Sequence, residues 1–379
     1  MRRTDIDLLR VLLCGGVIFA HALLIFADEP RYHLKSAVPD AMASLIYAFL
    51  RPTLMTSWFI LGGWAALKSF RSRGPAQFAR ERMTRLLVPL AVGTITFGSA
   101  IKYIELRHGI DIGLHGFRLV DPIDTPFFTF FPHNLAYLNR VSWSHLYFLA
   151  YLFLMSLLML PLLSWLVRRA PPAGMAPRWT VHGPALVMGA YLAVTHGYWP
   201  YLPNLIHDWA NFFFFTLCFA LGALVAWWPG FEARLRSEAL WLAIVMLVAF
   251  AGVRAWEDTT AGRICVGLLG WSAFATFTAL AFRFRPGESR LLTYLNDAML
   301  PVFIIHHAPL LLIGWAVLTV PMAVWLKIPL VALGGTAVAL AGYHWLIRPW
   351  PAMRFLFGLS PAPGKNAANR AAMAAVPGE

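Results

Sequence analysis

The sequence predicts an all-α fold, a polytopic integral membrane bundle of about ten transmembrane helices with both termini cytoplasmic. Three observations predict it. The chain is 59% hydrophobic and only 13% charged, against about 45–50% apolar and 25% charged in soluble domains. Its mean hydropathy is +0.63. Its Lys and Arg residues gather in alternate connections between apolar runs, as the positive-inside rule requires. The formal net charge of +13 and the pI near 10.1 are therefore a topology signal. They are not the single basic patch of a nucleic-acid-binding protein.

A helix needs about 20 apolar residues to cross the hydrocarbon core. Runs of that size, bounded by charge, Pro or Gly, fall near 7–27, 45–69, 86–104, 145–167, 183–200, 209–228, 238–255, 263–283, 298–320 and 328–348. Arg2 and Arg3 precede the first run, which resembles a signal peptide. Its length and the lack of a small-x-small cleavage site make it a retained first span. Between the second and third runs lie Arg71, Arg73, Arg80, Arg82 and Arg85, and after the fourth lie Arg168, Arg169 and Arg178. Arg234 and Arg236, then Arg283, Arg285 and Arg290, continue the same side. The other side receives fewer, among them Arg31, Lys35, Arg107, Arg118 and Arg140. Its longest connection, from Glu105 to Ser144, is rich in Pro, Phe, His and Asp, and fits either a cap over a site or an interfacial aromatic belt. Residues 1–359 thus form one membrane domain, and the Pro-, Ala- and Gly-rich segment 360–379 is expected to be a disordered cytoplasmic tail. The three cysteines sit in apolar runs without metal-ligand spacing, so neither a disulfide framework nor a metal site is expected. The sequence carries no signal for an oligomeric state.

Ionisable residues inside the spans are the candidates for function. In "DLLRVLLCGGVIFAHALLIF", Arg10 and His21 are eleven residues apart, about 20° past three full turns and about 16 Å along the axis, so they share a helix face. Asp7, one turn before Arg10, is placed to contact it. Arg10 suits anion binding or simple snorkelling. In "RPTLMTSWFILGGWAALKSF", Arg51 lies at the outer end and calls for a partner or a cavity, while Gly62 and Gly63 suit close helix packing. "FARERMTRLLVPL" places Arg82 and Arg85 three residues apart on one face, a spacing for clamping phosphate that positive-inside charge alone also explains. "SWSHLYFLAYLF" puts His145 at the outer mouth of the fourth span, and "MLPVFIIHHAPLLLIGW" puts His306 and His307 within the ninth. Each of these fits a direct role or a structural hydrogen bond.

Together, and in this order, these stretches and the closing "RPWPAMRFLFGL" resemble acyltransferase family 3 of membrane proteins, from about residue 4 to 359. Within the family they are most similar to the branch that modifies periplasmic glucans. The resemblance implies a multi-pass protein of the bacterial inner membrane that moves an acyl group, acetyl or succinyl, from cytoplasmic acyl-CoA to a hydroxyl of a carbohydrate or glucan acceptor. Acyl-CoA is then a substrate, and no permanently bound cofactor or metal is expected. Carried over by position, His21 matches the family's essential first-span histidine, Arg10 its paired arginine, and Arg82 and Arg85 the pair that contacts the donor's phosphates. Two departures stand out: Gly62-Gly63 replaces an apolar-Ser-Gly ending, and His307 stands where Gln often follows the histidine.

Acyl transfer to a hydroxyl requires a base near neutral pKa, and His21 is the expected one, acting directly or through an acyl-histidine. Arg51, His145 and His306, from mid-span or outer positions, are the acceptor-side candidates. The competing class is a multi-span transporter or flippase for a glycan or small anion, since interior Arg and His also serve substrate passage. Matched broken helices in inverted repeats would mark it, and the sequence shows no such repeat.

Overall fold

The structure is a computed structural model that describes residues 3–109, 123–136, 142–197, 204–205 and 207–360. Every regular element among the described residues is helical. The chain opens with α1 (Thr4–Phe26) and α2 (Ala41–Arg73). Next, α3 (Pro75–Arg82), α4 (Val88–Gly93) and α5 (Ser99–His108) are joined by π turns at Met83–Leu87 and Thr94–Gly98 into one rod, Pro75–His108. Then come α6 (Phe127–Ala136), α7 (Tyr147–Leu158, led by the 3₁₀ turn Ser144–Leu146), α8 (Leu160–Arg168) and α9 (Trp179–Val194). The second half holds α10 (Trp209–Trp227), α11 (Phe231–Ser237), α12 (Ala239–Ala255), α13 (Thr260–Phe284), α14 (Arg290–Ile305), α15 (His307–Leu318), α16 (Val324–Ala341) and α17 (Pro351–Leu356).

Six described helices are long and apolar enough to cross a membrane, or nine if each of three bent pairs is one span. The expected count of ten differs by one. Segment 183–200 corresponds to α9, whose 16 residues reach only about 24 Å, short of the roughly 30 Å hydrocarbon core. Arg118, Arg140 and the tail beyond residue 360 lie outside the described residues, as does much of the 105–144 connection. In that connection, α6 packs Phe127 on Tyr103 of α5, with ring centroids 5.3 Å apart.

Helices α1, α2 and α13 form the centre. α2 packs on α10, α1 and α13, and α1 also meets α14 and α16. The α2–α10 crossing depends on reciprocal glycines: a Cβ on Gly63 would overlap the Phe219 carbonyl, and one on Gly222 would overlap the Ile60 carbonyl. Small residues allow this backbone approach where hydrophobic burial supplies no drive between helices in lipid.

Two local distortions matter for the site. The α14–α15 pair bends by 62°. Pro309 causes this break, because it lacks the N–H that Ile305 O would accept and its ring crowds that carbonyl. The bend releases the Phe303 carbonyl, whose partner in a straight helix would be the N–H of His307. In Pro75–His108, Val88 N–H bonds Met83 O five residues back, so the π turn widens the angle between residues on either side of it. The segment from Ala27 to Asp40, between α1 and α2, folds down onto the bundle. Lys35 Nζ donates to Leu24 O (2.6 Å) and to Ala27 O, capping the last carbonyls of α1, and Tyr32, His33 and Leu34 are buried.

Candidate active site

The bend, the Ala27–Asp40 segment and the face of α1 converge on a cavity of about 370 Å³. Along α1 its lining runs from Arg10 through Val17, Ala20 and His21 to Leu24, about 21 Å of helix. Arg82 and Leu86 also line it, as do Arg51, Tyr32, His33, Ser144, His145 and His307. Arg10 and His21, expected on one face, both face this space.

The histidines form one cluster. His21 stacks on His307 with centroids 4.3 Å apart and on His306 at 5.2 Å. His145 meets His307 edge-on at 4.7 Å. Hydrogen-bond chemistry fixes where the protons sit when these rings are neutral, since a carbonyl only accepts and a neutral imidazole has one donor and one acceptor. His306 Nδ1 lies 2.8 Å from Phe303 O and must donate to it. His306 Nε2 is then an acceptor, and His21 Nδ1, 3.0 Å away, donates to it. His21 Nε2 is left as an unprotonated nitrogen that makes no hydrogen bond among the described residues, on a side chain that lines the cavity.

A second chain ends on the same carbonyl. His145 Nε2 donates to Phe303 O at 2.8 Å, so its Nδ1 accepts from His307 Nδ1 at 3.0 Å. His307 Nε2 in turn accepts from Tyr32 Oη at 2.9 Å. Burial holds the Tyr32 phenol well above its ordinary value, so it remains a donor. All four imidazoles are paired without any net charge, which is how a low-dielectric interior tolerates them. Among the described residues no three His, Cys, Asp or Glu side chains are grouped to hold a metal ion.

The arginines divide sharply. Arg3, Arg73, Arg85, Arg178, Arg234, Arg236 and Arg285 are ion-paired with Asp or Glu. Arg85 is exposed, pairs with Glu81 at 3.0 Å and reaches Ser360 Oγ at 2.5 Å. Arg82 instead lines the cavity with its guanidinium 4.7 Å over the Phe78 ring. Its buried Nε has no hydrogen-bond partner. The π turn that begins at Met83 separates the two arginines that a regular helix would place on one face. Arg10 also has no carboxylate within 4 Å among the described residues, and it lines the cavity beside the space Arg82 faces. A buried guanidinium with an unsatisfied donor is costly unless an anion completes it.

The model of the family described as the acyltransferase domain of acyltransferase family 3 covers residues 3–344. This chain belongs to acyltransferase family 3. The acyltransferase is also similar to proteins named glucans biosynthesis protein C. Those from Salmonella paratyphi A and Salmonella agona are 25% identical over 381 residues, 92% of each chain. That from Salmonella heidelberg is 24% identical over 382 residues, again 92% of each. No solved structure matches the chain.

In this acyltransferase, Arg10, His21, Arg51, Arg82 and His145 all line one cavity, with His306 directly behind His21. Arg51 has a partner in Glu29 at 3.0 Å. The sequence reading missed Tyr32, His33, Glu105 and Ser144. A signal was present: "RYHLKS" places a His beside an aromatic in a connection between two spans, and Lys102 and Glu105 sit an i, i+3 step apart at the end of the third apolar run.

Proposed function

We propose that the chain transfers an acyl group, acetyl or succinyl, from acyl-CoA to a hydroxyl of a carbohydrate, with His21 Nε2 as the general base. The relatives' printed name, glucans biosynthesis protein C, supports a glucan acceptor. The observation that carries the reading is the enforced tautomer. His306 fixes the proton of His21 on Nδ1 and leaves the Nε2 lone pair to the cavity.

The chemistry follows from the residues. The donor's phosphates bind where Arg82 Nε has no hydrogen-bond partner and where Arg10 has no carboxylate within 4 Å among the described residues, and the pantetheine arm runs the roughly 16 Å from Arg10 to His21. The acceptor hydroxyl gives its proton to His21 Nε2 as its oxygen attacks the thioester carbonyl. The resulting imidazolium keeps its Nδ1–H on His306, an orienting role of the kind a carboxylate plays in a triad. Collapse of the tetrahedral intermediate breaks the C–S bond, and the sulfur leaves as the thiol with the proton from His21. Arg51 and Arg31, at the end of the cavity bounded by the Ala27–Asp40 segment, are placed to meet a polar acceptor.

The test is transfer from radiolabelled acyl-CoA to glucan by the purified chain. Acyl-glucan formed by the wild type and lost in His21→Ala supports the reading. Glycan movement across vesicles without acyl transfer would replace it with the transporter.

A further inference from the structure

Beside the imidazole cluster, a second set of buried side chains has the connectivity of a nucleophile triad. Glu105 Oε2 lies 3.1 Å from His33 Nδ1, and His33 Nε2 lies 3.0 Å from Ser144 Oγ. The carboxylate can only accept, so His33 Nδ1 carries a proton and donates it. In the neutral ring, Nε2 is then the acceptor for the Ser144 hydroxyl. This is the arrangement that activates a serine, recognised by geometry and roles and independent of fold. Ser144 and His33 both line the cavity that His21 lines.

Three further features distinguish the set from ordinary packing. Ser144 has φ of +44°, a conformation that strains a non-glycine residue and clusters at functional sites. Glu105 is 1% exposed and has Lys102 Nζ 3.6 Å from its other oxygen, so the side chain is fixed in orientation deep in the protein. Finally, His33 is one ring away from the proposed base. Its centroid is 5.1 Å from His307, which stacks on His21 at 4.3 Å.

We propose that Ser144 is an acyl-accepting nucleophile activated by His33 and Glu105, so that transfer proceeds by double displacement through an acyl-serine. This rests on the acyl-transfer reading above and replaces direct attack on the thioester with two steps. In the first, the Ser144 proton moves to His33 Nε2 and Oγ bonds the acyl carbon. The C–S bond breaks and CoA leaves as its thiolate, a good leaving group because an ordinary thiol has a pKa of about 8.5. In the second, the acceptor hydroxyl loses its proton to His21 Nε2 and attacks the acyl-serine ester. Ser144 Oγ leaves and recovers its proton from His33. The proton on His21 and the released thiolate together make up free CoA thiol. Two histidine bases within one cavity are then accounted for, one for each nucleophile.

The test traps the intermediate. Purified His21→Ala is incubated with radiolabelled acetyl-CoA, denatured and digested, beside the His21→Ala/Ser144→Ala double variant and His21→Ala/Ser144→Asn. Asn tolerates positive φ, so it separates loss of the hydroxyl from loss of the turn. The expected result is label on the Ser144 peptide in His21→Ala, stable at neutral pH and released by alkali, with at least tenfold less label in both double variants. Label on an imidazole, or Ser144→Ala and Ser144→Asn that each transfer acyl groups to glucan at the wild-type rate, would overturn the proposal while leaving His21 as base. Wild-type transfer by His21→Ala would overturn the underlying reading instead.

Discussion

Replacing His306 tests the tautomer argument without touching substrate. His306 is fully buried and its Nε2 accepts the His21 Nδ1–H at 3.0 Å. In His306→Ala that donor loses its acceptor, and the imidazole proton is free to move to Nε2, which takes away the lone pair that faces the cavity. A net hydrogen bond of this kind contributes about 0.5–1.5 kcal/mol. Its loss lowers the competent tautomer by up to roughly tenfold, since about 1.4 kcal/mol is a factor of ten. The imidazolium loses the same acceptor in the transition state, so the combined fall in kcat is about 5- to 150-fold. His306→Gln supplies a carbonyl oxygen as acceptor and is expected to recover kcat to within about 0.5 kcal/mol, roughly twofold. KM for acyl-CoA should stay unchanged in both, because the effect operates only through the base. The assay is initial-rate acyl transfer by detergent-purified variants whose size-exclusion profiles match wild type. Equal losses in His306→Ala and His306→Gln, or no loss in either, would refute the reasoning.

Other outcomes follow from the same structure. Arg82→Ala should weaken CoA binding at least about tenfold at low salt, the loss of one charge-assisted contact, whereas Arg85→Ala, paired with Glu81 and outside the cavity lining, should leave calorimetric affinity nearly unchanged. Gly63→Leu should destabilise the α2–α10 crossing by about 1–3 kcal/mol, the cost of overpacking, and lower the thermal midpoint. Gly15→Ala, which meets nothing within 4 Å, should not. Burial raises the Tyr32 phenol in the folded chain, so its contribution to stability is complete below the ordinary value near 10 and is lost as pH rises through the elevated one. Above pH of about 10, wild type should lose stability relative to Tyr32→Phe in pH-scanned thermal melts, and parallel curves would contradict this.

The parts of this site legible in the sequence are those set by one helix. Arg10 and His21 share a face because helical periodicity puts them there, and the cost of ionisable groups in apolar runs singled out His145, His306 and His307. The pairings were not legible, because they join residues 285, 72 and 111 positions apart and depend on how helices pack. The 82–85 pair shows the opposite limit. Their i, i+3 spacing is a local property that a π turn changed, and the structure places Arg82 on the cavity while Arg85 pairs with Glu81. The count of crossings differs because α9 is a short helix, and hydropathy alone does not locate where a helix ends. His33, Glu105 and Ser144 escaped the sequence reading because each lies at the end of a span or in a connection, where a polar residue ordinarily needs no explanation.

In the proposed mechanism His21 Nε2 takes the acceptor's proton. The most direct measurement is acyl-glucan formation from radiolabelled acyl-CoA by purified wild type and His21→Ala at matched protein concentration and fold. His21→Ala should lower the rate about 10²- to 10⁴-fold, the contribution of a positioned general base. Equal rates for the two proteins would contradict it.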